Sequence, residues 1–558
     1  MKHNFGGKKA GARRRAAALC IAAGALLFSC AILPARGKKA AAEGEVYAET
    51  RPDVVDRETL VVSFPADEIE FDFRKSYLAT EAQIYTALYE GLFSYHPFTM
   101  EPVPAAAEKW KLSDDKKEWT FTLRPYVRYW NGDPVRAADF RDAWLSSIAP
   151  ENSAPYASLF DIIEGAREYR LGLNADAETV GIKALDEKTL VVRLVSPASF
   201  FPAMLCHHSF SPLHPAMRDL KSWNKQPVIS NGPFFLLKKT DRSLTLSRNE
   251  LYWDAREVAL KKIEIKLVKS GDEAADLWNS GEARWVSGHV NYERLKDRSG
   301  LELNPIFATH YYYIRSAHAP WSDYRVRQAL TLALPWQKIR DGYLLPAKTL
   351  IYPISGYPEI EGLGTTDMAT ARSLLESAGF PGGKGMPELV LRLSPGSESE
   401  RIGTHMVRAW RDGLGLKIKI EVIPFPAYFD SLKQDNYDVG FSTWIGDFAD
   451  PYTFLQMWRR DSNLNDARYN DTDYEKLLDR SMAEDGEKRY KTLSEAEELL
   501  LDRGTVLPIS HSYAVNLVDT AELDGWYRTV LDIHPFKYLA YRTREPLPSV
   551  ALFPSRGR

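Results

Sequence analysis

The chain has 558 residues, with 72 Lys or Arg against 75 Asp or Glu, a net charge of −3 and three Cys. This near-balance gives no basic field for nucleic acid, and three thiols exclude a disulfide-stapled scaffold. The length exceeds one ordinary core, so two or three domains are expected.

The N-terminus is basic, with Lys2, Lys8, Lys9, Arg13, Arg14 and Arg15 ahead of the apolar run Ala16 to Phe28. That run is short for a bilayer span but fits the apolar region of a secretory signal. Leu27-Phe28-Ser29-Cys30 resembles a bacterial lipobox. The resemblance implies cleavage before Cys30, acylation of its sulfur and attachment to a membrane. Residues 1–29 are therefore read as a signal peptide. Residues 30–55, rich in Ala, Gly, Lys and Glu, are read as a lipid-anchored tether. Loss of the six signal cations takes the net charge from −3 to −9. Cys206 is then the one thiol left besides Cys30. His207, His208 and His214 stand near it, but 200–215 is otherwise apolar and Pro-bounded, so it is read as core and connection. No metal and no cofactor are expected.

Further along, strands are expected at Leu60 to Phe64, Trp119 to Leu123, Thr189 to Leu194, Leu244 to Ser247 and Ile263 to Leu267. Several alternate with the period of two that a half-buried strand requires. Helical periodicity marks Ala82 to Leu92, Ala137 to Ile148, Tyr324 to Leu334, Met368 to Ala378, Glu400 to Gly413, and Asp473 to Leu501 with a break near Gly486. Helices and strands alternate without a strict βαβ rhythm, so the class is mixed α/β. Asn436 to Phe441 reads as a short strand, and Pro451 opens a helix from Tyr452 to Trp458. Between them Trp444 and Asp447 fall in a loop at a strand end, where ligands are often met. By itself an Asp there is equally a turn residue.

A longer pattern surrounds that loop. From Ala106 to Phe140 the chain reads AAEKWKLSDDKKEWTFTLRPYVRYWNGDPVRAADF. This resembles the signature region of the bacterial extracellular solute-binding proteins, a family that includes the peptide-binding proteins of ABC importers. Ile84 to Phe93 (IYTALYEGLF), Asn231 to Phe234, Trp321 to Ala333 (WSDYRVRQALTLA) and Ala371 to Phe380 (ARSLLESAGF) agree in order and spacing. The likeness covers about 58–542. It departs at Arg315 to His318, at Pro335-Trp336 and at Glu282 to Arg284, which bears on ligand identity rather than on fold.

The resemblance implies an α/β, two-lobed periplasmic-binding-protein-like fold of the large three-subdomain type, with two crossover hinge strands. The main part of lobe I would take 56–91, 186–268 and 507–545, and its smaller subdomain 92–185. Lobe II would take 269–506, and 546–558 would form a C-terminal tail. The chain would cross near Ile263 to Ser270 and return near Val506 to Ser510. The implied function is peptide capture between the lobes and delivery to a membrane permease. The protein would be a monomer in the cell envelope, in the periplasmic space or on the outer surface, lipid-anchored and without nucleic acid. By the same resemblance Asp447 pairs with the peptide α-ammonium and Trp444 lies in the cleft. Thr443 to Ile445 would offer main-chain donors and acceptors, as in strand addition. The family also carries dipeptides, nickel chelates, haem or oligosaccharides, and a surface adhesin or sensor on this scaffold is a further alternative. No G-x-S-x-G elbow, H-E-x-x-H pair or Walker loop is present, so no enzyme is expected.

Overall fold

The structure, a computed structural model, describes residues 56–542 apart from 219–222, 224–226, 289 and 425–426. The signal, Cys30, the tether to residue 55 and the tail lie outside the described residues. In chain order the first strands are β1 (Thr59–Pro65), β2 (Phe93–Tyr95), β3 (Pro102–Pro104), β4 (Ala107–Leu112), β5 (Glu118–Leu123), β6 (Ile182–Ala184) and β7 (Thr189–Arg193). Then come β8 (Phe234–Thr240), β9 (Ser243–Arg248), β10 (Lys262–Val268), β11 (Trp285–Ser287) and β12 (Leu301–Ile314). The last are β13 (Leu389–Leu393), β14 (Ile418–Val422), β15 (Val439–Ile445), β16 (Val506–Val518), β17 (Leu523–Asp524) and β18 (Ala540–Tyr541).

One sheet carries the architecture, in the order β14-β13-β15-β12-β16-β11-β1-β10-β9-β8. β1 pairs in parallel with β10 and β11, while β12 pairs antiparallel with both β15 and β16. Strands β5 and β10 alternate buried and half-exposed positions, so the sequence periodicity translates directly into one core-facing side. A separate four-stranded sheet, β4-β5-β7-β6, carries the helix Ala137–Ile148. That helix buries Ala137, Phe140, Ala143, Trp144, Ser147 and Ile148 on one stripe, and Asp139 closes its first turn by accepting the Arg136 N–H at 3.0 Å. No described helix is long and apolar enough to cross a membrane.

Two expected boundaries are corrected. The first crossing strand is β12, not Ile263 to Ser270. The latter stretch lies inside lobe I, because β10 is held on both sides by β1 and β9. The helix Gly271–Asn279 then packs on β1, β10 and β11, so the chain stays in lobe I for some thirty residues beyond the expected boundary at 269. Crossing waits for β12 and β16, strands of 14 and 13 residues that run antiparallel from one lobe into the other. Their register shifts between Pro305 and Thr309, where Pro305 has no N–H for the ladder. The smaller subdomain also extends past 185, because β7 pairs with β5 and β6 in the small sheet. The second long strand, β16, begins at Val506.

Candidate ligand-binding site

Strand β15 leaves an edge unpaired. On one side it is laddered to β12 from Val439 to Ile445, but its other side meets β13 only at Val439, opposite Leu391. Backbone groups in a strand point alternately to the two sides. Gly446 donates to the Phe307 carbonyl at 2.7 Å and Arg315 donates to the Asp438 carbonyl at 2.8 Å, so the even-numbered residues of this segment face β12. The odd-numbered ones, Phe441, Thr443 and Ile445, face away from it. The outward N–H and C=O groups of Thr443 and Ile445 have no intramolecular partner among the described residues. An unpaired edge of this kind is a template for another strand.

Asp447 stands where the strand ends. A Cβ at Gly446 would come within 2.5 Å of the Phe307 ring, so only glycine lets the backbone pass at this corner. Thr453 then accepts the Asp447 N–H at 2.9 Å and donates to Asp447 Oδ2 at 3.0 Å. Thr453 is placed by the helix Tyr452–Leu455, which Pro451 opens. From lobe I, the Tyr156 hydroxyl donates to Asp447 Oδ1 at 3.0 Å, and the Tyr95 hydroxyl to the Asp447 carbonyl at 3.1 Å. Asp447 is buried and has no Lys or Arg partner among the described residues. Burial pushes its pKa up to about 7, against the opposing effect of the Tyr156 and Thr453 hydrogen bonds.

His207 sits with Nε2 at 3.6 Å from Asp447 Oδ1, beyond hydrogen-bonding distance. Burial, and then His208, drive the His207 pKa well below its ordinary value, so the imidazole is neutral and the two do not form an ion pair. Cys206 is a free thiol whose pKa burial raises well above the usual range. The segment read as core and connection thus also forms one wall of the Asp447 environment.

A cavity of about 400 Å³ opens between the lobes. Ser442 to Asp447 line it from lobe II, together with Trp458, and Tyr77, Tyr95, Tyr156 and His207 line it from lobe I. Trp444 is buried, 6.3 Å from the Tyr156 ring, and its indole N–H has no partner among the described residues, so it is both packed and presented to the cavity. Thr443 is exposed, and its hydroxyl meets His310 Nδ1 at 3.1 Å. The other charged groups of the wall are already engaged. Lys433 pairs with Asp466 at 2.8 Å, Lys537 with Asp254 at 2.5 Å, and Glu90 accepts from Trp253 at 2.6 Å. The four residues singled out from the sequence are therefore neighbours in space. Tyr156, Tyr95 and His207 were missed: Tyr156 is 291 positions from Asp447, and only the His207-His208 doublet stood out in the chain.

The lobes also touch beyond the cavity. Arg167 Nη2 lies 2.7 Å from Asp461 Oδ2, and Arg170 donates to the Asp461 carbonyl at 2.7 Å. Phe200 stacks on Phe448, with the Arg489 guanidinium 4.0 Å from the Phe200 ring.

Comparison with known proteins agrees with this fold. A family model described as bacterial extracellular solute-binding proteins, family 5 Middle, matches residues 101–466. The oligopeptide-binding protein OppA of Bacillus subtilis is 30% identical over 449 residues, 76% of this chain and 82% of its own. The murein tripeptide binding protein MppA of Escherichia coli superposes with a TM-score of 0.78 at 25% identity, over 88% of this chain and 99% of its own. MppA in its unliganded open form gives a TM-score of 0.61 at 26% identity, over 87% and 98%.

Proposed function

This chain belongs to the bacterial extracellular solute-binding proteins, family 5, and on that premise we propose that it is the substrate-binding component of an ABC importer, taking peptides by their amino end between its lobes. The observation that carries this reading is a strand edge that, among the described residues, is unpaired and ends on a buried carboxylate without a Lys or Arg partner. A peptide supplies what both lack. Its backbone offers donors and acceptors to Thr443 and Ile445, and its α-ammonium offers three N–H donors and a charge to Asp447. Main-chain pairing holds peptides of many sequences, while the single carboxylate sets their register. The Trp444 indole supplies apolar area and an N–H near the first residues. The names of the relatives, an oligopeptide-binding protein and a murein tripeptide binding protein, support a peptide as the ligand class.

Lobe closure completes the site, because Tyr156 and Tyr95 reach Asp447 only when the lobes meet. The superposition on MppA is closer than that on its open form, which supports a closed arrangement here. Ligand favours closure only by its differential affinity for that state, and the closed form would be what a permease engages. The protein binds its peptide without cleaving it. It is a monomer held at the cell envelope through acylated Cys30. The reading is tested by purifying the protein under native conditions, denaturing it and identifying released ligand by mass spectrometry. A set of intact short peptides is expected; a metal chelate or a sugar overturns it.

A further inference from the structure

The outward side of β15 is closed at both ends of its open stretch. At one end Thr453 takes the Asp447 N–H. At the other, the Tyr428 hydroxyl accepts the Phe441 N–H at 2.9 Å and donates to the Phe441 carbonyl at 3.1 Å. A single phenol thereby occupies both groups that a neighbouring strand would use. Tyr428 belongs to the helix Ala427–Leu432 and is fully buried where β13 and β15 part after Val439. Its ring packs on Phe441 at 4.6 Å, and Tyr312 and His310 flank Phe441 at 5.4 and 5.5 Å. On β15 the cavity wall accordingly runs from Ser442 to Asp447 without Phe441, and of the helix that carries Tyr428 it takes Phe429 and Leu432 but not Tyr428.

We propose that Tyr428 sets the length of peptide the cleft accepts, by ending the strand edge two pairing residues away from Asp447. This limit rests on the peptide reading of the cleft. The α-ammonium is the backbone nitrogen of the first peptide residue, so with that nitrogen at Asp447 the first residue lies opposite Ile445. The peptide then runs antiparallel to β15. Outward groups recur every second residue, so the third peptide residue lies opposite Thr443 and the fifth opposite Phe441. There the groups are already taken and the aromatic cluster fills the space. Peptides of three or four residues use the whole edge; a fifth residue has no partner. The cavity of about 400 Å³ is at the small end of ligand pockets, which span roughly 300–1,000 Å³.

Calorimetry with alanine peptides of two to seven residues, on the wild type and on Tyr428→Ala, tests this. In the wild type, affinity should rise to the tripeptide or tetrapeptide and fall from the pentapeptide onward. Removing the phenol opens the space its ring fills and frees the Phe441 N–H and C=O, so pentaalanine should improve over trialanine by about tenfold in the variant. An independent measurement needs no variant. Backbone N-methylation of pentaalanine at its third residue should weaken wild-type binding about tenfold or more, and at its fifth residue should leave it unchanged. The same length profile in both proteins, or a loss on methylating the fifth residue, overturns the role of Tyr428 alone. Absence of binding by peptides of every length overturns the peptide reading and the length limit with it.

Discussion

Tyr156 of lobe I donates a hydrogen bond to Oδ1 of Asp447 in lobe II at 3.0 Å. The contact joins the lobes at a buried cleft carboxylate that has no Lys or Arg partner among the described residues. Only neutral donors, Tyr156 and Thr453, hold that carboxylate, which is why burial raises its pKa so far. An ammonium ligand would add the missing charge without displacing a protein cation.

Asp447→Asn keeps the shape of the side chain and one acceptor oxygen, turns the other acceptor into a donor, and removes the charge. Loss of a charge-assisted hydrogen bond, at about 1.5–3 kcal/mol, corresponds to a roughly 10- to 100-fold weaker affinity for free peptides. The fold should not suffer, because the variant no longer buries an uncompensated ionisable group; thermal melting should be unchanged or higher. Calorimetry beside a melting curve checks both.

The pH dependence has a definite sign. The Asp447 pKa lies near 7 in the folded protein, against 3.8 for an ordinary aspartate. The folded state therefore holds a proton between those values that the unfolded chain has released. Asp447 favours folding at low pH, and its contribution is lost as pH rises from about 4 to 7. A cationic ligand instead needs the ionised form. Peptide affinity should rise from pH 5.5 to about 7, with proton release on binding. It should fall again above about 8, as α-amino groups deprotonate near 7.7–8.0. Calorimetry in buffers of different ionisation enthalpy measures the proton count, and Asp447→Asn should abolish the rising limb.

Much of this arrangement is legible in the chain, for physical reasons. The helix Ala137–Ile148 is read to the residue because its apolar stripe and Asp139 are local signals. The break at Gly486 separates the helices Thr472–Met482 and Gly486–Asp502 as its positive φ requires. Pro451 correctly marks the helix beside Asp447. The crossing strand was misplaced because β12 contains Pro305 and the near-continuous apolar run Tyr311 to Ile314, which shows no clean alternation. Tyr156 and Tyr428 could not be read at all: each is an ordinary tyrosine until folding brings its hydroxyl to β15 or Asp447.

The interlobe ion pair offers a separate handle on closure. Asp461 is met by Arg167 and Arg170 from lobe I, away from the cavity wall. Asp461→Asn should shift the ligand-free protein toward an open form and raise the apparent Kd a few-fold, since only the competent fraction binds. Small-angle X-ray scattering should show a larger radius of gyration without ligand and a wild-type radius with saturating peptide.

The proposed acylation at Cys30 is tested in cells. Metabolic labelling with an alkyne fatty acid should mark the wild type, and Cys30→Ser should lose the label and move the protein to the soluble fraction. Equal labelling of both proteins would exclude Cys30 as the lipid site.

The most direct test of amino-end capture is calorimetry of one tripeptide with a free amino terminus against its N-acetyl form. Acetylation removes the positive charge and leaves the rest of the backbone and every side chain intact. Pairing between the α-ammonium and Asp447 predicts that affinity falls about 100-fold or becomes undetectable. Equal affinity for the two forms would contradict it.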